Sequence, residues 1–495
     1  MRRCALLFML AATPASLGCS ESTSSNSGSD EPDAGLPWEC KEVPTLGVNI
    51  LFVIDNSAAM GTEQQLLTDQ VDALLRGLAN LKGGFPTAHI GVVSTDMGSG
   101  TNVLACPGDG DAGILHSTPR VPGCVPPAGN PFIEIVNENG LLSGNIANVD
   151  TPTEDGLGCW GLTDVGGSRV PADGDVALDV CDVQAAFECI ALLGQSGCGF
   201  EQPLEAARRA LTCTPNSCTN PGFLRGGAAL GVVFLGDEDD CSARRDEFFD
   251  EAPELGPVTS YRCFEFGVTC DQPIGRNGDQ TLTGCRSKTV DDVDVVDELY
   301  LHPVQEYREF FARLWPQGRL VMAGITGPYA SGDEIDTTLD GALQPWLQPA
   351  CELGTEIAYP GVRLNELVRA FGEYGVVVQD VNSGSGICTD DLRPALSRIG
   401  DALGTATEPG CSPGCQRTCR RLATCAVDLC AEDCVASVPD GLEEALLASC
   451  LKTCDEDALG LLTEEQWLCL FEESCRAGFG DNICGAGTGY SCECL

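Results

Sequence analysis

Thirty cysteines, none of them spaced C-x-x-C, constrain this chain more than any other feature. Zinc ribbons and thioredoxin-like redox sites use that spacing. Its absence points to disulfides, and disulfides to an oxidising compartment. The three histidines, His89, His116 and His302, are too few for a multi-histidine zinc centre and make a His-based triad a poor fit. At 495 residues the chain has room for two or three domains. Its 73 Asp and Glu against 28 Lys and Arg give a net charge of −45, which argues against nucleic acid or an anionic membrane surface as a partner.

The N-terminus agrees with an oxidising destination. Arg2 and Arg3 precede an apolar run, Ala5 to Ala12, that is too short to span a bilayer. It ends in Ser16-Leu17-Gly18-Cys19, which resembles a bacterial lipobox. The resemblance implies cleavage after residue 18 and lipidation of Cys19. With Ser20 next, it also implies outer-membrane retention, on the periplasmic face or the cell surface. The competing reading is an ordinary secretory signal with Cys19 merely near the cut. No later apolar run is long enough to span, so membrane attachment is expected through the lipid anchor alone.

Removing Cys4 with the signal and Cys19 to lipid leaves 28 cysteines. Fifteen lie from Cys40 to Cys388 and 13 from Cys411 to Cys494. Both subtotals are odd, so if every thiol is paired, at least one bridge joins the two regions.

Residues 19–44 read as a lipidated flexible linker rich in Ser, Gly and acidic residues. From Val48 the pattern changes. Val48 to Ile54 is almost continuously apolar, as expected of a strand buried on both faces, and ends at Asp55. Thr62 and Gln65 form a capping-box pattern before a helix that places Leu67, Val71, Leu74, Leu75 and Leu78 on one face. His89 to Ser94 is the next strand, so strand, helix and strand make a βαβ unit with a parallel sheet. Gly231 to Leu235, Arg319 to Ile325 and Val376 to Val378 are further strands. Helices are expected near 183–193, 201–211, 304–314, 363–371 and 392–403. The fold class is therefore α/β, a doubly wound and mostly parallel sheet over 45–405, with disulfide-pinned insertions at about 98–198 and 241–290. Residues 406–495 form a separate cysteine-rich helical domain. Steps such as Cys411/Cys415/Cys419 put thiols on one helix face, where they can staple helical hairpins.

The stretch Ile50 to Met60, with Asp55-Asn56-Ser57 at its centre, resembles the first motif of von Willebrand factor type A domains, D-x-S-x-S at the carboxyl end of the first strand. Val233-Phe234-Leu235-Gly236-Asp237 resembles a second motif, a strand ending in an aspartate. The resemblance covers roughly 45–405 and is nearest to secreted or lipoprotein bacterial members. It implies a divalent ion, Mg²⁺ or Ca²⁺, at the carboxyl edge of the sheet, held by Asp55, Ser57 and Asp237 and completed by an acidic group of a partner. Two departures weaken that set. Ala59 has no oxygen to offer, and the family threonine should fall near Gly197 to Glu201, where none occurs. Glu201 is the substitute carboxylate within reach of that position. Asp96, Asp239 and Asp240 are expected nearby at strand ends. The competing reading is that Asp55 and Ser57 only cap the following helix.

Three functional readings follow. The first is a non-enzymatic envelope module that binds a protein or matrix ligand. The second is a metal-free structural envelope protein. The third is a metal-dependent hydrolase using Asp237 to Asp240. The absence of a G-x-S-x-G elbow, a phosphate loop or a nucleophile–histidine pair disfavours an enzyme. The fragments Asp109-Gly110-Asp111 and Asp173-Gly174-Asp175 do not extend into a calcium loop.

Overall fold

The computed structural model describes residues 47–407 except 82–83, 101–105, 107, 123, 147–163, 166–167, 170–179, 215–216, 294–298, 316–318 and 383, together with the short strands Glu42–Val43 and Gly410–Cys411. Cys19, the linker, the Asp173–Asp175 fragment and the segment after Cys411 lie outside these residues. No helix among those described is long and apolar enough to cross a membrane.

Seven strands form the central sheet: β1 (Val48–Ile54), β2 (Ala88–Ser94), β3 (Ile133–Glu138), β4 (Leu141–Gly144), β5 (Ala229–Gly236), β6 (Leu320–Thr326) and β7 (Gly375–Val377). Their order is β7-β6-β5-β1-β2-β3-β4. β1, β2, β5, β6 and β7 run parallel to one another, β3 pairs antiparallel with β2, and β4 antiparallel with β3. The sheet is therefore mixed. The β3–β4 hairpin comes from within the 98–198 segment, read from the sequence as a disulfide-pinned insertion, and extends the sheet. Its turn is Asn139-Gly140, with φ of 59° and 89°, the left-handed pair that a two-residue hairpin requires.

The four long parallel strands are buried along their whole length because helices cover both faces. Alternate side chains of β1 enter different cores. Ile50, Phe52 and Ile54 pack under α1 (Gly61–Gln70), α2 (Asp72–Ala79), α3 (Val180–Ala191) and α8 (Arg393–Thr407). Leu51 and Val53 pack under α4 (Pro203–Leu211), α6 (Val304–Leu314) and α7 (Val362–Arg369). The expected single helix after β1 is broken at Val71 into α1 and α2, yet Leu67, Val71, Leu74, Leu75 and Leu78 are all buried as the spacing requires. The capping box does not form. Thr62 Oγ1 donates to Glu356 and Gln65 Nε2 to Asp69, and no side chain caps α1. α2 and α8 meet backbone to backbone at Gly77 and Gly400, where a Cβ on Gly400 would lie 2.5 Å from the Leu74 carbonyl oxygen.

Disulfide-pinned segments cover the carboxyl edge of the sheet. Cys106–Cys198 and Cys124–Cys189 tie the first insertion to the approach to α4 and to α3. Cys241–Cys263 ties the turn after β5 to α5 (Tyr261–Gly267), and Cys270–Cys285 closes the loop that follows. Within this second insertion, Gln280–Leu282 pairs with Ile335–Leu339, which pairs with Pro345–Leu347. Cys351–Cys388 anchors the hairpin Cys351–Leu353/Glu356–Ala358.

Candidate functional site

β1 and β5 are adjacent, parallel and in register from Val48↔Ala229 to Ile54↔Leu235. The chain leaving β1 forms α1 and α2 on one face. The chain leaving β5 reaches α6 on the other. Such a switch point opens a crevice at the carboxyl ends of the strands, where open α/β sheets bind ligands. Asp55 and Asp237 stand at that crevice, one after each strand.

Asp55 is completely buried. Its N–H donates to the Leu235 carbonyl at 2.9 Å, which fixes it against β5. Its Oδ1 accepts the Ser57 N–H at 2.7 Å, while Oδ2 has no hydrogen-bond partner. Asp237 is 5 % exposed, and its Oδ1 also lacks a partner. Gln64 on α1 donates to the Asp55 and Gly194 carbonyls at 2.7 and 3.0 Å, and Gly197 N–H donates to the Asn56 carbonyl at 2.7 Å. These bonds bring the 194–202 turn to the end of β1. A Cβ on Gly197 would sit 2.1 Å from Asn56 Oδ1, so a larger residue there would have to displace the buried Asn56 side chain.

The turn delivers Glu201, 3 % exposed, ahead of α4. Its carbonyl accepts the Cys241 N–H at 2.8 Å, and the neighbouring Gln202 N–H donates to Thr95 at 3.0 Å. Asp55, Glu201, Asp237 and Glu238 thus form one electrostatic cluster. Burial pushes the Asp55 carboxyl well above the ordinary range, and Asp237 and Glu238 push it further. Burial likewise raises Glu201, with Glu238, Asp55 and Asp237 adding to it. Asp237 is raised to about 6 and Glu238 to about 8, burial again the main cause. A second carboxyl pair flanks the cluster: Glu63, in the first turn of α1, is raised to about 8 by burial and by Glu356.

Of the residues singled out in the sequence, the structure brings Asp55, Ser57, Asp237 and Glu201 to one crevice. It does not bring the others in as ligands. Asp239 accepts the Arg363 and Leu364 N–H groups at 2.9–3.1 Å and caps α7. Asp240 is ion-paired with Arg363 and accepts the Leu204 N–H at 3.1 Å at the start of α4. Asp96 accepts the N–H groups of Gly98 and Cys198. The carboxylates of Asp239 and Asp240 are thus engaged by the protein itself. Asp111 is engaged too, accepting from Ser94 Oγ at 2.6 Å and lying 3.1 Å from His116 Nε2. Ala59 is exposed on the turn before α1. Thr95 is the residue sequence reasoning passed over. It directly follows β2, and its buried hydroxyl has no partner. The Ser94-Thr95-Asp96 run at a strand end was the available signal.

No group of three or more His, Cys, Asp or Glu among the described residues is arranged to hold a metal unaided. The side-chain atoms around the crevice that lack partners, Asp55 Oδ2, Asn56 Oδ1, Glu63 Oε2, Thr95 Oγ1 and Asp237 Oδ1, are all hard oxygens. That chemistry fits a hard cation that keeps several waters. No protein-family model and no curated protein matches the chain.

Proposed function

We propose that the chain is a von Willebrand factor type A-like binding module, anchored to a bacterial outer membrane through Cys19. In this reading it engages a protein or matrix ligand at the carboxyl edge of its sheet and is not an enzyme. The observation that carries the reading is the pair of unpartnered, buried carboxylate oxygens, Asp55 Oδ2 and Asp237 Oδ1, on the two strands that flank the switch point.

Asp55, Asp237 and Ser57 would hold Mg²⁺ or Ca²⁺, with Glu201 in the place of the missing threonine. When bound, the ion offers an open position to a partner's carboxylate. The protein's part is charge control and rigidity. Burial and repulsion between neighbouring acids raise all four carboxyls, Asp55, Glu201, Asp237 and Glu238, and a dication placed among them would relieve that repulsion. Ser57 N–H orients Asp55, and the Gln64 bridge fixes the turn that carries Glu201. Disulfide-pinned loops around the crevice lower the ordering cost of binding.

A second reading is a metal-free structural envelope protein, since among the described residues no three His, Cys, Asp or Glu close around an ion. Surface plasmon resonance of the soluble chain over immobilised collagen and fibronectin separates the two. The adhesion reading expects binding with Mg²⁺ or Ca²⁺ that is lost in chelator and in Asp55→Ala. Binding indifferent to both, or none, supports the metal-free reading.

A further inference from the structure

Leu343 combines two properties found together nowhere else among the described residues. It is the most exposed of the large apolar side chains, at 74 %. Its backbone is also left-handed, with φ of 60°. That conformation is disfavoured for any residue with a Cβ, and most for a bulky one. The other two non-glycine residues with positive φ have reasons inside the fold. Asn139 makes the β3–β4 turn, and asparagine tolerates the conformation. Ala112 is half-buried and leads into Gly113, which packs against α4. Leu343 sits in the loop 340–344 that joins Ile335–Leu339 to Pro345–Leu347. Asp340 holds that loop in shape. Its Oδ1 accepts the Ala342 and Gln344 N–H groups at 2.8 and 2.7 Å, and its carbonyl accepts the Leu343 N–H at 2.9 Å. The hairpin stands beside the crevice: Trp346 Nε1 donates to Tyr359 Oη at 3.1 Å, and the Tyr359 N–H to the Asp237 carbonyl at 2.8 Å.

We infer that Leu343 is an anchor for a basic, amphipathic segment of a partner protein. Apolar residues of that segment close over the leucine, and its Lys or Arg side chains meet the acids of the same small sheet. Within the chain, a leucine here strains the backbone and buries little apolar area. For a contact outside the chain, a loop already held in shape presents an apolar side chain at little ordering cost. The surroundings set the partner's charge. Asp279, Asp336 and Asp340 are all exposed, and Asp279 and Asp336 accept the Thr338 and Thr281 hydroxyls at 2.8 and 2.6 Å, which places them on the sheet that carries the loop. No Lys, Arg or His occurs from residue 320 to 362 or from 277 to 285. A surface of this sign disfavours a second copy of a chain with a net charge of −45, and an anionic membrane likewise. The inference goes beyond the adhesion reading and does not rest on it, because the contact needs no metal.

The test pans a phage-displayed library of random dodecapeptides against the intact soluble chain in chelator, which keeps any failure of the metal site separate. Enriched peptides are then titrated by calorimetry into the unaltered chain, Leu343→Asn and Asp336→Asn. Asparagine accepts left-handed backbone and leaves the charge unchanged, so Leu343→Asn is expected to melt no lower than the unaltered chain. The enriched peptides are expected to combine Lys or Arg with apolar residues. They should bind Leu343→Asn at least about tenfold more weakly, and Asp336→Asn several-fold more weakly. Equal binding to Leu343→Asn, or peptides without an excess of Lys and Arg, overturns the inference. So does a melting temperature lowered by several degrees in Leu343→Asn, which would assign the side chain to packing within the chain. A dimer in sedimentation that Leu343→Asn abolishes would assign the tip to a second copy, and Leu343-dependent binding to phosphatidylcholine vesicles would assign it to a membrane. Either result also overturns the inference.

Discussion

The Arg363 guanidinium lies 2.8 Å from Asp240 Oδ2 with both side chains out of solvent. The pair joins four elements. Arg363 opens α7 and also donates to the Gly267 carbonyl at the end of α5 and the His302 carbonyl before α6. Asp240 follows β5 and caps α4 through Leu204 N–H. It is the clamp that sets the 237–240 turn, and so the positions of Asp237 and Glu238.

Removing one partner leaves an uncompensated buried charge. Arg363→Met is expected to cost about 3–5 kcal/mol, and adding Asp240→Leu to recover part of it. Urea denaturation of the three proteins reads this directly. A loss below about 1 kcal/mol in Arg363→Met would show that the clamp does not hold the turn.

Gly400→Ala is a second stability test, because two physical rules disagree on its sign. Helix propensity favours alanine by up to about 1 kcal/mol. The close approach opposes it, since the new Cβ would meet the Leu74 carbonyl at 2.5 Å and backbone cannot step aside. The crossing of α2 and α8 is expected to win, with a net loss of roughly 1–3 kcal/mol in urea denaturation. A stabilised variant would contradict the packing.

Much of this architecture is visible in the residues. Val48–Ile54 and Ala229–Gly236 announce themselves because a strand buried on both faces has little room for polar side chains. α6 lies where its apolar spacing puts it. The edge of the sheet was harder. β3 alternates only weakly because half its side chains reach solvent, and the one firm signal, Asn139-Gly140, sits inside a Gly- and Pro-rich segment that reads as loop. The pairing of Gln280–Leu282 with Ile335–Leu339 joins strands of three to five residues across a long separation, and no local pattern encodes that. At the site, Asp55 and Asp237 are legible as the last residues of apolar runs. What separates Asp237 from Asp239 and Asp240 is which of them α4 and α7 cap, a tertiary fact.

The pH dependence of stability has a definite sign. Glu63, Asp237 and Glu238 are raised to about 8, 6 and 8, so between their unfolded values and those values the folded chain holds more protons than the unfolded one. Their contribution is complete at low pH and is lost as pH rises towards 8. Asp111, lowered to about 2 by its bond to His116, acts oppositely, and its contribution is lost as pH falls through about 2. Melting temperature in chelator should therefore peak near pH 4–5 and fall towards pH 8, with a flatter fall in Glu63→Gln. A curve that is level or rising from pH 5 to 8 would contradict the cluster.

Cysteine parity makes a covalent prediction. Six bridges join cysteines among the described residues of 106–388, which leaves Cys40, Cys159 and Cys181 on the N-terminal side, and Cys181 is itself bridged. The strand pair Glu42↔Cys411 brings the chain next to Cys40 alongside the start of the cysteine-rich region. A non-reducing digest read by mass spectrometry is expected to contain a peptide joining residues 40–181 to residues 411–494. A free thiol in each region, trapped by alkylation, would refute the link.

The central claim is that the switch-point carboxylates bind a divalent ion. Calorimetric titration of the soluble chain lacking the lipidated cysteine, with Mg²⁺, Ca²⁺ and Mn²⁺ in turn and beside Asp55→Ala, tests it most directly. The account predicts one site per chain in the unaltered protein and none in the variant. Heat of binding that survives Asp55→Ala, or no binding to any of the three ions, would contradict it.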